Sequence, residues 1–537
     1  MPEKSYILSF DIGTTGNKTC LFEIGETITL VASALGEYGL SIGKDGEAEQ
    51  QVDDWWQAMC ETSRRVLTDT AIAPSAIKAL SFCSQMHGLV LVDRQGRALR
   101  KAMSYMDQRA QGQYRRGIQH GLKVSGLNAR KTLQSLYVSG GASASVKDPL
   151  WKYLWVKENE PEIFSRVYKW LDVKEYLLLR CTGRFVTTHD TANATFMYDS
   201  RPGKCCWSQS LCRTFGVDIS HFPEVIRSTD VVGTLTPAAA TELGLSTDTR
   251  VFGGGGDVTM ATVGSGCVRP GDTHVYIGTS GWVARVLSQR KVDLRHLIGS
   301  IMSARLGAYN YIAEQETSGK CLEWVKDHLA LDEIDVYLKK TSVVDDPESR
   351  YTSLLDFLGQ TVAQEPPGCG GVIFTPWLHG NRCPFEDHHA RGMFFNIGLD
   401  TGKRKMIRAV VEGICFHKRW MLECIEAKTG HCSTLRFVGG GALSDSTCQI
   451  MADILGKSVE VTTNPQNVGA MGAAALCGIG LGIIASFDEV PKSIPIRRTF
   501  VPDRGHELIY QRNYRVFKSL HANNKASFAE MNRTPPG

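Results

Sequence analysis

Four consecutive glycines lead directly into an aspartate near the middle of the chain, in the segment Gly253–Asp257. Glycines let a backbone approach a ligand closely, because no Cβ stands in the way. A carboxylate at the end of such a run can accept the proton of a bound hydroxyl group. Taken alone, however, this segment is better explained as a glycine-rich bend followed by a solvated aspartate.

Two further segments have the composition of a phosphate-binding loop. The first follows the apolar run Ser5–Phe10 and reads Asp11-Ile-Gly-Thr-Thr-Gly-Asn-Lys18; the second follows His274–Ile277 and reads Gly278-Thr-Ser-Gly281. Backbone N–H groups and hydroxyls at the end of a strand can bind phosphate oxygens. Each loop is a weak signal, but the pair in this order indicates a duplicated nucleotide-binding fold with a cleft between its halves.

These and other motifs resemble those of the FGGY carbohydrate kinases, a family within the actin/hexokinase/Hsp70-like group of ATPases. The resemblance covers about residues 5 to 520. Besides the three segments above, it is carried by SQMHG at 84–88, MDQRA at 106–110, PLWKYLWVKEN at 149–159, RGMFFNIGLDTGKRKMIRAVVEG at 391–413 and GGGALSDSTCQIMADILG at 439–456. Within the family, the triplet Met86-His87-Gly88 is most similar to that of xylulokinases.

The resemblance implies an α/β fold of two actin-like, ribonuclease H-like ATPase domains, with the nucleotide and sugar cleft between them. A chain of 537 residues is long enough for two such cores. We place the N-terminal domain at residues 1–250 and the C-terminal domain at 251–525, with the boundary just before the glycine run. Residues 526–537 end in Thr-Pro-Pro-Gly and are expected to form a disordered tail.

The resemblance also implies a reaction and a set of site residues. The expected enzyme is a carbohydrate kinase that transfers the γ-phosphate of ATP to a terminal hydroxyl of a ketopentose, with xylulose preferred. Asp257 is the expected catalytic base, and Asp11 and Asp257 are the expected Mg²⁺ ligands. The expected sugar-binding residues are Gln85, Met86, His87, Asp107 and Asp257. The expected ATP-binding residues are Gly13, Thr14, Thr15, Lys18, Gly278, Thr279, Gly440, Gly441, Ala442 and Asp445.

Several positions depart from the family pattern, and three of them leave alternatives open. Tyr105 stands where many relatives carry tryptophan, Val258 where many xylulokinases carry asparagine, and Asn396 breaks the pattern of the 391–413 segment. Val258 weakens the assignment to xylulose in particular, so ribulose, erythritol or glycerol remain alternative acceptors. A second class of function also remains: an actin-like ATPase with no small-molecule acceptor.

Composition narrows the range of partners. The formal charge of +4 is too small and too evenly spread to indicate a nucleic-acid partner.

The sixteen cysteines form no CxxC pair, and the N-terminal residues contain charges and no long apolar core. We therefore expect a cytoplasmic protein with reduced thiols. Residues 468–487 carry no charge, but they are rich in Gly and Ala, which favours a buried helix over a membrane span. A homodimer is compatible with the resemblance.

Hydrophobic patterns predict the elements that position these motifs. Strands are expected at 19–24, 28–33 and 78–83, the last one delivering the SQMHG segment at its carboxyl end. Helices are expected from Asp54 to Thr68, capped by Asp53, and at 172–183 and 403–428. Leu435–Val438 is predicted as a strand that turns through glycines into a helix. A closing helix is expected from His506.

Overall fold

The computed structural model describes residues 5–124, 126–329 and 354–533 of the chain. Two seven-stranded sheets form the framework of this part of the molecule. In spatial order, the first sheet contains Val231–Thr234, Arg250–Phe252, Ile77–Ser84, Ser5–Ile12, Gly16–Ile24 and Ile28–Glu37, with Gly255–Gly256 also pairing with Ile77–Ser84. The second contains Gly299–Met302, Tyr309–Gln315, Gly281–Leu287, Thr273–Ile277, Thr434–Val438, Ser458–Thr462 and Ile496–Phe500.

The two sheets repeat the same topology. In the first, Ser5–Ile12 and the next two strands form an antiparallel meander, and Ile77–Ser84 lies parallel to Ser5–Ile12 on its other side. In the second, Thr273–Ile277 begins an equivalent meander and has the parallel strand Thr434–Val438 on its other side. The duplicated α/β fold predicted from the paired loops is therefore confirmed.

Helices of very different lengths surround the sheets. The α-helices are Val52–Thr70, Gln111–Ile118, Ala129–Ser139, Pro149–Asn159, Pro161–Phe164, Val173–Thr182, His189–Ala194, Gln209–Phe215, Pro237–Leu243, Asp257–Gly264, Gly319–Leu329, Leu354–Gln364, Lys403–Thr429, Asp445–Leu455, Val468–Gly480, Val490–Ser493 and Glu507–Asn532. Short strands are Ser41–Ile42, Ala48–Gln50, Val90–Val92, Ala102–Met103, Lys123–Val124, Leu127–Asn128, Lys169–Leu171, Val186–Thr188, Tyr198–Asp199, Cys206–Trp207, Glu224–Ile226, Ile373–Thr375 and Met393–Phe395.

Apolar side chains alternate between the two faces of the first sheet, as expected for a strand period of two. Leu8 and Phe10 point to a core completed by the helix Val52–Thr70, whereas Ile7 points to a core on the opposite face. The helix Val468–Gly480 covers that opposite face together with Asp257–Gly264. The uncharged stretch at 468–487 is thus largely a buried helix, as its composition predicted.

The helix Asp257–Gly264 lies between the two sheets. Its residues Met260 and Val263 belong to the core of the first sheet. Val258 and Ala261 instead join a smaller apolar cluster with Trp282 and other residues of the second sheet. The residue predicted to be the catalytic base therefore begins a helix that is held by both halves of the molecule.

Two predictions about helix ends were wrong. The first long helix begins at Val52 with Gln51 as its N-cap, so Asp53 lies in its first turn and does not cap it. The closing helix runs from Glu507 to Asn532, so residues 526–532 are helical and not part of a disordered tail. The remaining strands and helices predicted above are present within one to four residues of their expected ends.

All sixteen cysteines are free thiols, and most are buried. Within the described ranges, no helix combines the length and the apolar character that a bilayer span requires. The domain boundary placed at residue 250 remains a prediction.

Candidate active site

The two predicted phosphate loops occupy equivalent positions, each being the turn between the first two strands of its sheet. In the first, the Gly13 amide donates to the Gly16 carbonyl at 2.9 Å, and Thr15 is exposed at the tip. In the second, the Gly278 amide donates to the Ser280 carbonyl at 3.0 Å, and Thr279 is exposed. Two tight turns of the same kind thus present hydroxyls and backbone amides to solvent.

Asp257 is the first residue of its helix, with Gly256 as the N-cap. Its Oδ1 accepts a hydrogen bond from the Val258 amide at 2.8 Å. Burial, with smaller contributions from the charges of Glu314 and two other carboxylates, raises the pKa of Asp257 from 3.8 to about 7. A carboxyl group that titrates near neutral pH is suited to accept a proton from an alcohol.

The glycine run brings the predicted sugar-binding segment against this carboxyl. The side chain of Met86 packs on Gly256 so closely that a Cβ at this position would collide with its sulfur. The Gly256 amide donates to Asp190 Oδ2 at 2.8 Å, and Gly254 has a φ of +63°, which favours glycine. The run therefore lets Met86 and Asp190 approach the backbone just before the base.

His87 is held in an unusual backbone conformation next to Met86. Its φ is +65°, which is uncommon for a residue with a side chain. Its carbonyl accepts a hydrogen bond from the buried ammonium of Lys152 at 2.7 Å. Burial, with smaller contributions from the charges of Lys152 and Arg382, lowers the pKa of His87 to about 3. The imidazole is therefore neutral at physiological pH and is suited to hydrogen bonding and not to proton transfer.

Glutamine side chains connect the sugar segment with the first phosphate loop. Gln85 Nε2 donates to Gln50 Oε1 at 3.0 Å, and Gln50 Nε2 donates in turn to the Thr14 carbonyl at 2.7 Å. The Thr14 hydroxyl donates to Tyr105 Oη at 3.3 Å. Tyr105, the residue that replaces the family's tryptophan, thus contacts the phosphate loop. Gln50 was not identified from the sequence, because it belongs to no motif and lies in the short strand Ala48–Gln50, the middle strand of a small three-stranded sheet.

Asp107 is fully buried, and its carboxylate already has protein partners. Its Oδ2 accepts hydrogen bonds from the Ala48 amide at 2.9 Å and from Arg109 Nη2 at 2.6 Å. Arg109 also donates to Glu49 at 2.6 Å. In this conformation Asp107 holds the neighbouring backbone and Arg109, and its predicted contact with the sugar remains untested.

Asp11 is the next-to-last residue of the strand before the first phosphate loop, and it is close to a thiol and a cation. Burial raises its pKa, which the hydrogen bond from Cys83 and the charge of Lys18 oppose. The Lys18 ammonium donates to the carbonyl of Gln466 at 3.2 Å and so connects the first hairpin to the second half of the chain. A Cβ built on Gly469 would lie 3.4 Å from Asp11 Oδ2, so that helix passes close to the carboxylate.

Three charged residues that sequence analysis did not single out line the same region. Arg382 forms an ion pair with Glu314, and the guanidinium side chain is about half exposed. The charge of Arg382 also acts on Asp148, whose pKa burial raises to about 6. Asp148 Oδ1 lies 3.9 Å from His87 Nδ1. Arg382 lies in the segment Gly380-Asn-Arg-Cys-Pro384, which also resembles a segment of the same family, whereas Glu314 belongs to no motif.

The glycine turn at 439–442 leads into the helix Asp445–Leu455, as predicted. Gly440 is half-buried, whereas Gly441 and Ala442 are buried. Asp445 forms ion pairs with Arg497 at 2.8 Å and with Arg498 at 2.7 Å. These arginines come from the edge strand Ile496–Phe500 and were not identified from the sequence.

The carboxylates present fit a magnesium ion that is shared with a nucleotide. Mg²⁺ prefers carboxylate oxygens and usually binds through one or two of them, together with water and substrate phosphates. The negative charge of Asp11 raises the pKa of Asp257, and the charges of both carboxylates raise the pKa of Tyr276. A divalent cation would relieve the repulsion between the two carboxylates. No cluster of three potential metal-binding side chains occurs in the part of the chain that the structure describes.

Known proteins are similar to this chain over nearly its entire length. The family model for the N-terminal domain of the FGGY carbohydrate kinases matches residues 6–264, and the model for the C-terminal domain matches residues 274–481. The xylulose kinase of Bacillus subtilis (strain 168) is 28% identical over 522 residues, 97% of each chain. The gluconokinase of the same organism is 27% identical over 509 residues, 94% of this chain and 93% of its own.

A solved structure agrees with the fold. The ligand-bound xylulose kinase from Lactobacillus acidophilus superimposes with a TM-score of 0.82 at 24% identity, covering 98% of this chain and all of that one. Kinases of the matched family transfer phosphate from ATP to a carbohydrate, and both halves of the family pattern are present here in order. This chain belongs to the FGGY family of carbohydrate kinases.

Proposed function

We propose that this kinase phosphorylates the terminal hydroxyl of a ketopentose, and that xylulose is its preferred substrate. The observation that carries the proposal is the position of Asp257, a carboxyl with a pKa of about 7 that follows the glycine on which Met86 packs. A base and a sugar-binding segment are thereby adjacent. The similarity to xylulose kinases over nearly the full length supports the choice of sugar.

In the proposed reaction Asp257 accepts the proton of the attacking hydroxyl. Phosphoryl transfer requires mainly positioning and charge stabilisation, so one base and a set of phosphate contacts suffice. His87 and Gln85 orient the sugar through hydrogen bonds, since the imidazole is neutral. Closure of the cleft would exclude water, which otherwise competes as the phosphate acceptor.

Gly13, Thr14 and Thr15 in the first loop bind the phosphates from one side, and Gly278 and Thr279 bind them from the other. Lys18 stands beside the transferred group, and Gly440, Gly441, Ala442 and Asp445 border the adenosine. Asp11, with Asp257, would hold Mg²⁺, which when bound neutralises charge on the phosphates. The equivalent topological positions of the two loops support this assignment.

Val258 bears on how strictly the sugar is selected. Its side chain is apolar and buried against the second sheet, so it offers no hydrogen bond to a sugar hydroxyl. A site without that partner discriminates poorly at that hydroxyl, because selectivity of this kind comes from paired buried polar groups. We therefore expect activity on xylulose together with a related ketose or polyol.

Gluconate is a second candidate substrate, and one observation favours it. The guanidinium of Arg382 is half exposed near His87 and Asp148, and arginine binds carboxylates in a bidentate manner. To reach a substrate carboxylate, Arg382 would have to exchange its present partner, Glu314. The similar gluconokinases support considering this acid.

The test is kcat/KM with ATP for D-xylulose, L-xylulose, D-ribulose, L-ribulose, erythritol, glycerol and D-gluconate. We expect the highest value for a xylulose and measurable activity on at least one other ketose or polyol. Val258→Asn should increase the preference for xylulose. If neither the parent enzyme nor this variant acts on xylulose, the pentulose proposal is wrong. A preference for gluconate that Arg382→Met abolishes would establish the second candidate.

A further inference from the structure

Lys418 is a completely buried lysine in the long helix Lys403–Thr429, a residue type that is rarely buried unless paired. Its ammonium has no hydrogen-bond partner among the described residues, and it forms no ion pair with any of them. An unpaired buried charge is costly, so a residue kept in this state requires an explanation. None of the sequence motifs includes a role for it.

The ammonium lies directly behind the second phosphate loop. A Cβ built on Gly281, the last residue of that loop, would collide with Lys418 Nζ and would lie 2.9 Å from Ser318 Oγ. Two further polar atoms in this region, Ser318 Oγ and Gln315 Oε1, are also buried and find no partner within the described part of the chain. Glycine at 281 is therefore what permits a cation to approach the loop backbone.

The loop is fixed on this side by the start of a neighbouring helix. The Gly319 amide donates to the Gly278 carbonyl at 2.7 Å, and the Ser318 amide donates to the Thr279 carbonyl at 3.2 Å. These bonds hold the loop against the layer that contains Lys418. A positive charge in that layer is thus kept at a fixed distance from any anion bound on the exposed side of the loop.

Within the described ranges, the titratable groups that face Lys418 supply no counter-ion. They are Cys415 on its own helix, Cys321 on the helix Gly319–Leu329, and Cys383. Burial raises the pKa of each thiol, so all three are uncharged at neutral pH. Adjacent on the same helix, His417 is also neutral, because burial lowers its pKa to about 3.

We propose that Lys418 is a positioning residue of the nucleotide site, whose ammonium supplies the positive charge behind Gly278–Gly281 when a polyphosphate is bound. The inference rests on the proposed nucleotide site and names a group that the motifs do not contain. Without an anion, burial lowers the pKa of Lys418 to about 7, so the site exists in both charge states near neutral pH. A bound polyphosphate favours the protonated form, and nucleotide binding should therefore take up a proton.

The experiment measures ADP binding to the full-length enzyme by calorimetry between pH 6 and 9, in buffers of different ionisation enthalpy. Lys418→Met preserves length and removes the charge, and Lys428→Met, an exposed position on the same helix, is the matched control. We expect Lys418→Met to weaken ADP binding about tenfold at pH 7, the equivalent of one charge-assisted contact. Proton uptake should decrease in this variant and remain unchanged in the control.

Stability provides the readout that separates this role from a merely structural one. The pKa of Lys418 is lower in the folded state than in the unfolded state, so the unfolded state binds more protons above about pH 7. The free energy of unfolding of the parent enzyme should rise with pH from there up to the ordinary pKa of lysine. Lys418→Met removes this penalty and should raise the Tm of the nucleotide-free enzyme at pH 7.

Equal ADP affinity and equal proton uptake in the parent enzyme and Lys418→Met would overturn the proposal. A lowered Tm would indicate a structural role, and Lys418→Gln, which is neutral but polar, would then be measured in the same way. Unchanged proton uptake in Lys418→Gln would also overturn the proposal. If the parent enzyme does not bind ADP at all, the proposed nucleotide site itself is wrong, which is a different outcome.

Discussion

Replacing Asp257 by asparagine removes the proposed base while keeping nearly the same volume. General-base catalysis typically contributes about 10²- to 10⁴-fold, so we expect sugar phosphorylation to fall by at least about 10²-fold. Nucleotide binding should change little, because the phosphate loops belong to other turns of the two sheets.

The pH dependence follows from the pKa of about 7 that burial gives to Asp257. Only the ionised form accepts a proton, so about one tenth of the metal-free sites are competent at pH 6 and about one hundredth at pH 5. For the parent enzyme, kcat/KM should therefore rise about tenfold per pH unit below the pKa of Asp257 and then level off, with the plateau beginning below pH 7 once Mg²⁺ is bound. The residual activity of Asp257→Asn should lack this acidic limb.

The assay couples ADP formation to NADH oxidation at saturating ATP, with sugar concentration varied at each pH from 5.5 to 8.5. Stability over the same range, followed by circular dichroism, distinguishes titration of the site from acid unfolding. Near-normal turnover in Asp257→Asn, or an acidic limb that persists in it, would refute the assignment of the base.

Two further predictions concern the surroundings of this carboxyl. Glu314→Gln removes a negative charge that raises the pKa of Asp257, so the acidic limb of kcat/KM should move to lower pH; an unshifted limb would contradict the electrostatic coupling. Gly256→Ala forces Met86 away from the glycine run, and should lower kcat/KM for the sugar by about tenfold or more, as small misplacements do, without changing ADP affinity. Gly25→Ala, where an added Cβ meets nothing within 4 Å, is its control and should have normal activity.

Features that depend on residues close together in the sequence could be predicted from it. Apolar runs that end in glycine and threonine located the strands and both phosphate loops, because a strand and its turn are encoded within about ten residues. The repetition of that pattern also predicted that the fold is duplicated. The last turns of the closing helix were missed for another reason: the final Pro-Pro-Gly suggested disorder, although Lys525–Asn532 contains helix formers that extend the preceding helix.

The contacts around the site could not be predicted in the same way. Glu314 and Arg382 lie 68 positions apart in the sequence, and Asp190 approaches the glycine run from a helix formed far earlier in the chain. Such pairs arise only when the sheets and their covering helices are assembled. The motif around Asp107 likewise gave no sign that Arg109 and the Ala48 amide would occupy its carboxylate. The Mg²⁺ ligands, the homodimer and the cytoplasmic location remain predictions.

The glycine-lined contact between Asp257–Gly264 and Val468–Gly480 has a consequence for synthesis of the chain. A Cβ at Gly472 would lie against the Met260 carbonyl, so the two helices touch backbone to backbone. The first sheet is therefore covered on this face by a helix made almost 400 residues after its strand Ile77–Ser84. At ribosomal speeds of about 5–20 residues per second, apolar residues such as Phe22 and Ala79 wait roughly 20 to 90 seconds for their partner. The N-terminal half of this kinase is thus made early, but one face of its sheet is covered only when the chain is nearly complete.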